Sequence, residues 1–339
     1  MKIAIVGFGV VGQALVRLLH ERSGELYRQH GFAPRIVAAI DTRGAALSAQ
    51  GLDMAALLRT KASDGTVATL PDCGVSRLDN EQVIAECGAH VLVEATPSSL
   101  RDPQPAIRHL KAAFRAGLHV VSVNKVPLAV AFPGLRELAD YNRVMFRFSG
   151  TVGAGLPVLA LAQQCALGDE ILSVRAVLNG TTNYILWRMH EAGLDFAAAL
   201  AEAVRLGYAE TDPSADVDGV DTAMKTVIFA NVVLDRAATL ADVQVAGIRD
   251  LPRERIATAA AAGRRVKLLA ELGEKLRVGP QEIEAHGPLD VPANLNAVSL
   301  SLRHGGEVTL RGPGAGGVET ATGVLRDLLD IWHALGSAP

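Results

Sequence analysis

The sequence predicts a two-domain α/β protein, and three observations lead to that prediction. The chain has 339 residues, a length that suits two domains of ordinary size. Hydrophobic residues make up 49% of it but aromatic residues only 4%, which is typical of compact, alanine-rich helices packed on a sheet. Short apolar runs alternate with helical patterns over about the first 150 residues, as in a parallel sheet with crossover helices.

Charge and cysteine content exclude several classes of protein. The net charge of -3 offers no basic surface for nucleic acid or an anionic membrane. Cys73, Cys87 and Cys165 are widely spaced and odd in number, which argues against a disulfide framework and for a reducing compartment. No apolar run is long enough to span a bilayer, and the N-terminus runs straight into a strand rather than a signal peptide. We therefore expect a cytoplasmic protein without nucleic-acid or membrane partners.

The first strand and the turn after it predict a dinucleotide site. Lys2–Val6 is a short apolar run, and the pattern Gln13–Arg22 is helical. Between them lies GFGVVG, which consists of Gly7, Phe8, Gly9, Val10, Val11 and Gly12. Glycines in this context let a pyrophosphate approach backbone amides at a helix N-terminus, so we predict a Rossmann-type domain in which these six residues contact the cofactor. A tight turn without a ligand is the alternative.

The end of the second strand bears on the choice of cofactor. Ser23–Pro34 is polar and predicts a connection without regular structure, and Arg35–Ile40 is the strand. Asp41 at its end suits the ribose hydroxyls of NAD, whereas Arg43 suits the extra phosphate of NADP. Alternatively, Asp41 caps the turn and Arg43 is solvated, so NAD and NADP both stay open as cofactors.

Two further strands end in polar residues on the predicted cofactor side of the sheet. Thr96 and Ser98 follow the strand His90–Val93, and Lys125 follows the strand Leu118–Val123. Ligands bind beyond the carboxyl ends of parallel strands, so we predict cofactor contacts from all three residues. Helix caps for the two hydroxyls and simple exposure for the lysine are the alternatives. The other predicted elements of this domain are the helices Leu52–Arg59, Asn80–Glu86, Pro105–Ala116 and Pro133–Tyr141 and the strand Val144–Phe148.

The remainder predicts an α+β domain with an antiparallel sheet. The predicted strands are Glu170–Leu178, Arg265–Leu272, Lys275–Val278 and Ala297–Arg303, with helices at Leu156–Ala166 and Thr182–Glu191. The outer face of this sheet suits a homodimer contact. Glu307–Leu310 and a helix over Thr320–Leu335 are expected to rejoin the first domain. The predicted domains are thus 1–150 completed by 307–339, which binds the dinucleotide, and 151–306, which serves catalysis and dimerisation.

An acidic stretch from Ala203 to Lys225 stands out in the second domain. We expect Asp195 to cap a helix before it and Gly207 to end that helix. After Gly219 the apolar spacing becomes helical again, which puts Asp221 and Lys225 one turn apart on one face. A capping run with an ordinary surface ion pair is the alternative for any one of these residues. Their density on a loop that enters a largely apolar helix favours a functional role.

This stretch carries a family resemblance. Its pattern A-x3-GYA-x3-P-x2-D-x2-G-x-D-x3-K, from Ala203 to Lys225, resembles the signature of the homoserine dehydrogenases. The blocks NGTTNYIL at Asn179–Leu186 and GPGAGGVETA at Gly312–Ala321 resemble the same family. The similarity extends from Gly7 to about Ala321 and implies NAD(P)-dependent interconversion of L-aspartate 4-semialdehyde and L-homoserine.

The resemblance and the available groups together assign roles to residues. Lys225 is expected to donate the proton to the developing alkoxide, with Lys125 second or cooperating, and Asp221 to hold Lys225 in its charged form. Glu210 and Asp216 suit the α-amino cation of the substrate. Asn179, Gly180 and Thr181 join a strand to a helix and suit its carboxylate, or form a plain capping turn with Thr181 or Thr182 as the cap. Gly314 belongs to a glycine-rich turn that is expected to close over the cofactor, or to a turn without a ligand.

The resemblance also implies a monovalent cation, expected to be sodium, held by the carbonyls of Val152, Ala154 and Leu156 and by a glutamate. Ser149 occupies the position where that glutamate is expected, and a hinge between the domains is the alternative. The rival interpretations of the whole chain are another amino-acid or semialdehyde dehydrogenase and a catalytically inactive NAD(P)-binding sensor. From the ends of the chain we expect no regulatory domain and hence little inhibition by threonine.

Overall fold

The computed structural model describes residues 1–76, 78–97, 99 and 101–336. The chain forms two compact units, Met1–Gly155 together with Gly316–Pro339, and Leu156–Ala315. Ser98, one of the predicted cofactor contacts, lies outside the described residues.

The first unit is built on a seven-stranded sheet in the order β4-β3-β2-β1-β5-β6-β7. Its strands are β1 (Lys2–Val6), β2 (Arg35–Asp41), β3 (Gly44–Leu47), β4 (Gly74–Ser76), β5 (Val91–Glu94), β6 (His119–Ser122) and β7 (Phe146–Arg147). Its helices are α1 (Val10–Glu21), α2 (Ser23–His30), α3 (Met54–Asp64), α4 (Asn80–Glu86), α5 (Ala106–Arg115), α6 (Lys125–Tyr141) and α13 (Gly317–Gly336). The central strands pair in parallel, and β3 and β4 add an antiparallel edge. The predicted Rossmann-type α/β fold is confirmed.

The core of this unit explains why its elements form where they do. Ile3 and Ile5 of β1 belong to the same core as Leu15 and Leu19 of α1, and all four side chains are fully buried. Val324, Leu328 and Ile331 of α13 join the same core at spacings of three and four, so the C-terminal helix folds with the first unit.

One connection differs from the sequence prediction. Residues 23–34 contain the helix α2 rather than irregular structure. Leu26 is the only fully buried residue of this otherwise polar helix, and Gly31 ends it in the left-handed conformation at φ 61°. A single buried leucine gives too little periodicity to predict the helix.

The second unit is built on a six-stranded sheet in the order β13-β12-β8-β10-β11-β9. Its strands are β8 (Ile171–Val177), β9 (Val243–Val245), β10 (Arg264–Leu272), β11 (Leu276–Glu284), β12 (Leu295–Leu302) and β13 (Gly306–Pro313). Its helices are α7 (Val158–Gly168), α8 (Gly180–Ala192), α9 (Phe196–Arg205), α10 (Ser214–Val217), α11 (Val220–Val233) and α12 (Arg253–Ala261). All neighbouring strands are antiparallel except β9 and β11, as the α+β prediction requires.

The chain leaves the second unit later than expected. β13 pairs with β12 along its whole length, from Gly306 opposite Leu302 to Pro313 opposite Leu295. The expected return at residue 307 is therefore wrong, because these hydrogen bonds hold the strand in the second sheet. Gly316 begins the return to the first unit.

Helix α11 is buried along most of its length. Every residue from Asp221 to Asn231 is buried, including the two charged side chains Asp221 and Lys225. Buried charges need partners, so these two side chains must be paired within the protein.

In the described part of the chain, no helix is both long and apolar enough to cross a membrane.

Candidate active site

The turn after β1 offers backbone amides to an anion. Gly7 adopts φ 95°, and a Cβ atom there would lie 2.4 Å from the carbonyl carbon of Ala95. Gly9 precedes α1, whose N-terminus has no side-chain cap and no acidic residue in its first turn. Nothing lies within 4 Å of the position of a Cβ atom on Gly9. The space and the unopposed helix dipole fit the pyrophosphate of a dinucleotide.

Asp41 at the end of β2 is engaged within the protein. One carboxylate oxygen accepts from the Arg43 amide at 2.9 Å and the Thr66 hydroxyl at 3.0 Å. The other accepts from Lys61 Nζ at 2.7 Å and the Val67 amide at 2.9 Å. Burial opposes ionisation, but these bonds outweigh it and lower the pKa of the carboxyl group. A carboxylate has about four acceptor positions, so all of them are used here.

Arg43 lies beside this carboxylate with an exposed side chain. Its guanidinium donates to the carbonyl oxygen of Asp64. The expected ribose contact of Asp41 would require some of its four bonds to be exchanged, whereas Arg43 has further N–H donors to offer a phosphate.

Thr96 and Lys125 are positioned by a shared network. The Thr96 hydroxyl donates to the carboxylate of Glu94, the fully buried last residue of β5. Asn124 donates to the Thr96 carbonyl oxygen at 3.1 Å and accepts from the Val126 amide at 3.3 Å. Asn124 thereby caps α6, which makes Lys125 the first residue of that helix. Sequence reasoning missed Glu94, although an acid at the end of a buried strand is an unusual signal.

Lys225 and Asp221 form a buried ion pair on α11. Lys225 Nζ lies 2.7 Å from Asp221 Oδ2, and each residue is only 7% exposed. The same ammonium group donates to the carbonyl oxygen of Leu178 at 2.6 Å. The pair thus has fixed geometry and limited access to solvent, unlike an ordinary surface ion pair.

Asn179 connects this pair to a second acid. Its amide nitrogen donates to Asp216 at 2.6 Å and to Asp221 at 3.0 Å. Its oxygen accepts from the Thr182 amide at 2.9 Å, so Asn179 caps α8, rather than Thr181 or Thr182 as in the alternative interpretation of this turn. An amide oxygen that caps the helix leaves the amide nitrogen to face the acids.

The other predicted substrate residues are Gly180, Thr181 and Glu210. A Cβ atom on Gly180 would be 2.7 Å from the Asn294 carbonyl oxygen, so close packing requires glycine there. The Thr181 hydroxyl donates to the Tyr208 carbonyl oxygen at 2.7 Å. Glu210 is exposed on the loop between α9 and α10. Asp218, by contrast, forms an exposed pair with Arg249 at 2.9 Å and stands apart from the network.

In the sequence, Gly314 and the predicted cation ligands lie near the two points where the chain passes from one unit to the other. Gly314 belongs to the second unit, where a Cβ atom would lie 1.9 Å from Asn296 Nδ2. Val152 and Ala154 belong to the first unit and Leu156 to the second. Among the described residues, no group of three or more His, Cys, Asp and Glu residues could hold a metal ion.

A Rossmann-type unit with an open helix N-terminus is typical of a dinucleotide-dependent enzyme, and the buried lysine–aspartate pair of the second unit offers a group suited to proton transfer. A family model described as homoserine dehydrogenase matches residues 157–329, and one described as glutamate/leucine/phenylalanine/valine dehydrogenase matches residues 1–108.

The relatives agree with the first of these models. The homoserine dehydrogenase of Methanocaldococcus jannaschii is 39% identical over 335 residues, which cover 98% of this chain and 99% of that protein. The NAD(+)-dependent homoserine dehydrogenase of Pseudomonas canavaninivorans is 40% identical over 338 residues, covering 97% and 96%. The structure of a hyperthermophilic archaeal homoserine dehydrogenase in complex with NADPH superposes with a TM-score of 0.86 at 30% identity and covers 99% and 98%. The chain belongs to the homoserine dehydrogenase family.

Proposed function

We propose that this protein interconverts L-aspartate 4-semialdehyde and L-homoserine with NAD(P) and that Lys225 transfers the proton. The observation that supports the proposal is the chain of contacts from the Leu178 carbonyl through the buried residues Lys225, Asp221 and Asn179 to the partly buried Asp216. It presents one ammonium group and two carboxylates within a single unit. An amino-acid aldehyde needs both kinds of charge: the ammonium group as an acid for its carbonyl oxygen, and the carboxylates as anions for its amino group.

The cofactor supplies a hydride to the aldehyde carbon when it is bound. The amides at the start of α1 would hold its pyrophosphate over Gly9, and Thr96 and Lys125 would lie at the carboxyl ends of β5 and β6. Gly314 is a further proposed contact.

Residues of the second unit would bind the substrate and transfer the proton. In the reduction, the Lys225 ammonium donates a proton to the carbonyl oxygen as negative charge develops there, which yields the alcohol and a neutral amine. Asp221 holds the ammonium in position beforehand, at 2.7 Å. Glu210 and Asp216 would bind the α-amino cation, and the first amides of α8, at Gly180 and Thr181, the α-carboxylate.

NADP is the cofactor that the residues around Asp41 favour. The Asp41 carboxylate is neutralised by Lys61, and its acceptor positions are filled. It therefore offers little repulsion to a 2′-phosphate. Arg43 adds an exposed guanidinium beside it. Reaction rates with NADPH and NADH under identical conditions test this preference.

A homodimer through the outer face of the second sheet is the assembly we propose. The exposed residues of β13 include Glu307, Thr309 and Arg311, and a cavity of about 370 Å³ on this sheet is lined by Arg175 and Glu307, among others. Mixed charges of this kind suit an isologous contact, in which the same patch meets itself. Light scattering during gel filtration would give twice the mass of the chain.

The three cysteines are unbridged, which suits the cytoplasm that we propose as the compartment.

The inactive-sensor alternative makes a different prediction. A sensor would bind NADPH and leave the semialdehyde unchanged, whereas the enzyme would oxidise NADPH only when the semialdehyde is present. Tight cofactor binding without turnover would therefore replace our proposal with the sensor.

A further inference from the structure

The segment from Ser149 to Gly155 follows β7. Gly155 is the last residue of the first unit before the chain enters the second unit. The family resemblance predicts a monovalent cation here, held by the carbonyls of Val152, Ala154 and Leu156 and by an acid at position 149. The chain has Ser149 instead, so what holds the segment has to be found in its contacts.

One face of α13 contacts this segment repeatedly. Gly323, Arg326, Asp327 and Asp330 follow one another at spacings that place them on one side of the helix. Asp327 accepts hydrogen bonds from the Ser149 amide at 2.9 Å and the Ser149 hydroxyl at 2.6 Å. Asp330 pairs with Arg147, the residue at the end of β7, at 2.5 Å.

The same face reaches the far end of the segment. Arg326 donates to the Gly155 carbonyl oxygen at 2.7 Å. A Cβ atom on Gly323 would lie 2.6 Å from the Ala154 carbonyl oxygen, so the helix backbone stands directly against that carbonyl. Three residues of α13 thus contact the segment at both of its ends.

These contacts leave a poor donor set for a sodium ion. Asp327 is the carboxylate that the structure places against Ser149. Both of its oxygens already accept from Ser149, and the Leu156 carbonyl oxygen accepts from the Val158 amide at 2.8 Å. Ser149 supplies no carboxylate, both oxygens of Asp327 are engaged and the Ala154 carbonyl faces the backbone of Gly323, so this set of groups fits a sodium ion poorly.

Arg326 adds an electrostatic argument. One terminal nitrogen of its guanidinium is bonded to Gly155, and the other, Nη1, is buried without a hydrogen-bond partner among the described residues. A permanent positive charge already lies at this loop, and a second cation nearby would be repelled most strongly where water is excluded.

We propose that Arg326, with Asp327 and Gly323 on the same face of α13, takes the place of the monovalent cation, so that this protein is ordered and active without sodium or potassium. The helix supplies both the positive charge and the backbone contacts that the loop carbonyls would otherwise receive from an ion.

The first test compares cations on the unmodified protein. Thermal unfolding and NADPH oxidation are measured in the chlorides of sodium, potassium and N-methylglucamine, each at about 100 mM so that ionic screening is constant. We expect equal unfolding temperatures and rates that agree within about twofold, which is a negligible difference in barrier. A rate that falls about tenfold or more in N-methylglucamine and is restored saturably by sodium would overturn the proposal.

The second test removes the guanidinium. Arg326→Met keeps the length of the side chain and removes its charge, and we expect it to lower the unfolding temperature and to make that temperature rise with added sodium. Arg147→Gln is the matched control, since it removes an arginine that contacts the same helix through the exposed pair with Asp330. We expect no cation dependence in the control. The same cation response in both variants would contradict a specific role for Arg326.

The cation series still decides the question if Arg326→Met does not fold. Unfolding temperature is also independent of the reaction catalysed, so failure of the proposed dehydrogenase activity would leave this inference testable.

Discussion

Replacing Asp221 by alanine removes one half of the ion pair on α11. The variant leaves the Lys225 ammonium buried, with its bond to the Leu178 carbonyl oxygen but without the carboxylate at 2.7 Å. Breaking a buried pair from one side typically costs about 3–5 kcal/mol, because an uncompensated charge remains out of water. We expect a loss of unfolding free energy of this size.

The loss translates into a measurable change in thermal unfolding. For a domain of the size of Leu156–Ala315, each kcal/mol shifts the midpoint by about 2–4 °C, so a fall of roughly 6–20 °C is expected. Asp218→Ala is the matched control, since its pair with Arg249 is exposed and is worth about 1 kcal/mol or less.

A double-mutant cycle tests whether the loss comes from the charge left on Lys225. Lys225→Met removes the ammonium, and the double variant Asp221→Ala/Lys225→Met removes the pair together. Because no buried charge is then stranded on Lys225, the double variant should be less destabilised than the sum of the single variants by about 1 kcal/mol or more. Additive losses in chemical denaturation would refute the buried-pair account.

Three further predictions concern other parts of the chain. Arg43→Gln should lower kcat/KM for NADPH about tenfold and leave NADH nearly unchanged, whereas the exposed Arg115→Gln should alter neither. Gly9→Ala should raise the Kd for NADPH about tenfold without changing Tm, because its Cβ fills only open space, whereas Gly7→Ala should lower Tm through its contact with Ala95. Burial lowers the pKa of Lys267 to about 8, so the unfolded state binds more protons between pH 8 and 10.5. Unfolding free energy should therefore rise across that window by up to about 3 kcal/mol, and a pH titration of Lys267→Met should lack the rise.

Local signals in the sequence predicted most elements of the fold. Asp195 caps α9 by accepting from the Ala198 amide, and Gly207 follows that helix at φ 78°, both as capping preferences predict. The helix over residues 80–86 was predicted to the residue. The short strands β3 and β4 were missed, since runs of three and four small residues carry almost no periodicity.

The sequence did not indicate the contacts of site residues that depend on distant parts of the chain. The four-residue spacing of Asp221 and Lys225 sufficed to place them on one face. The engagement of Asp41 by Lys61, and of Ser149 by Asp327, joins residues 20 and 178 positions apart in sequence. Nothing local to Asp41 or Ser149 indicates these partners, because tertiary packing creates them. Asn179 shows the same limit, since its capping role is local but its two acids are not.

The most direct test of the proposed reaction is the oxidation of NADPH by aspartate 4-semialdehyde, followed by absorbance for the wild type and Lys225→Met, with NADPH affinity measured separately. We expect turnover by the wild type and a rate about 10²–10⁴-fold lower in the variant, as for the loss of a general acid, with the affinity for NADPH preserved. Wild-type turnover that survives in Lys225→Met would contradict the role of Lys225, and no turnover by the wild type with NADPH or NADH would contradict the proposed reaction itself.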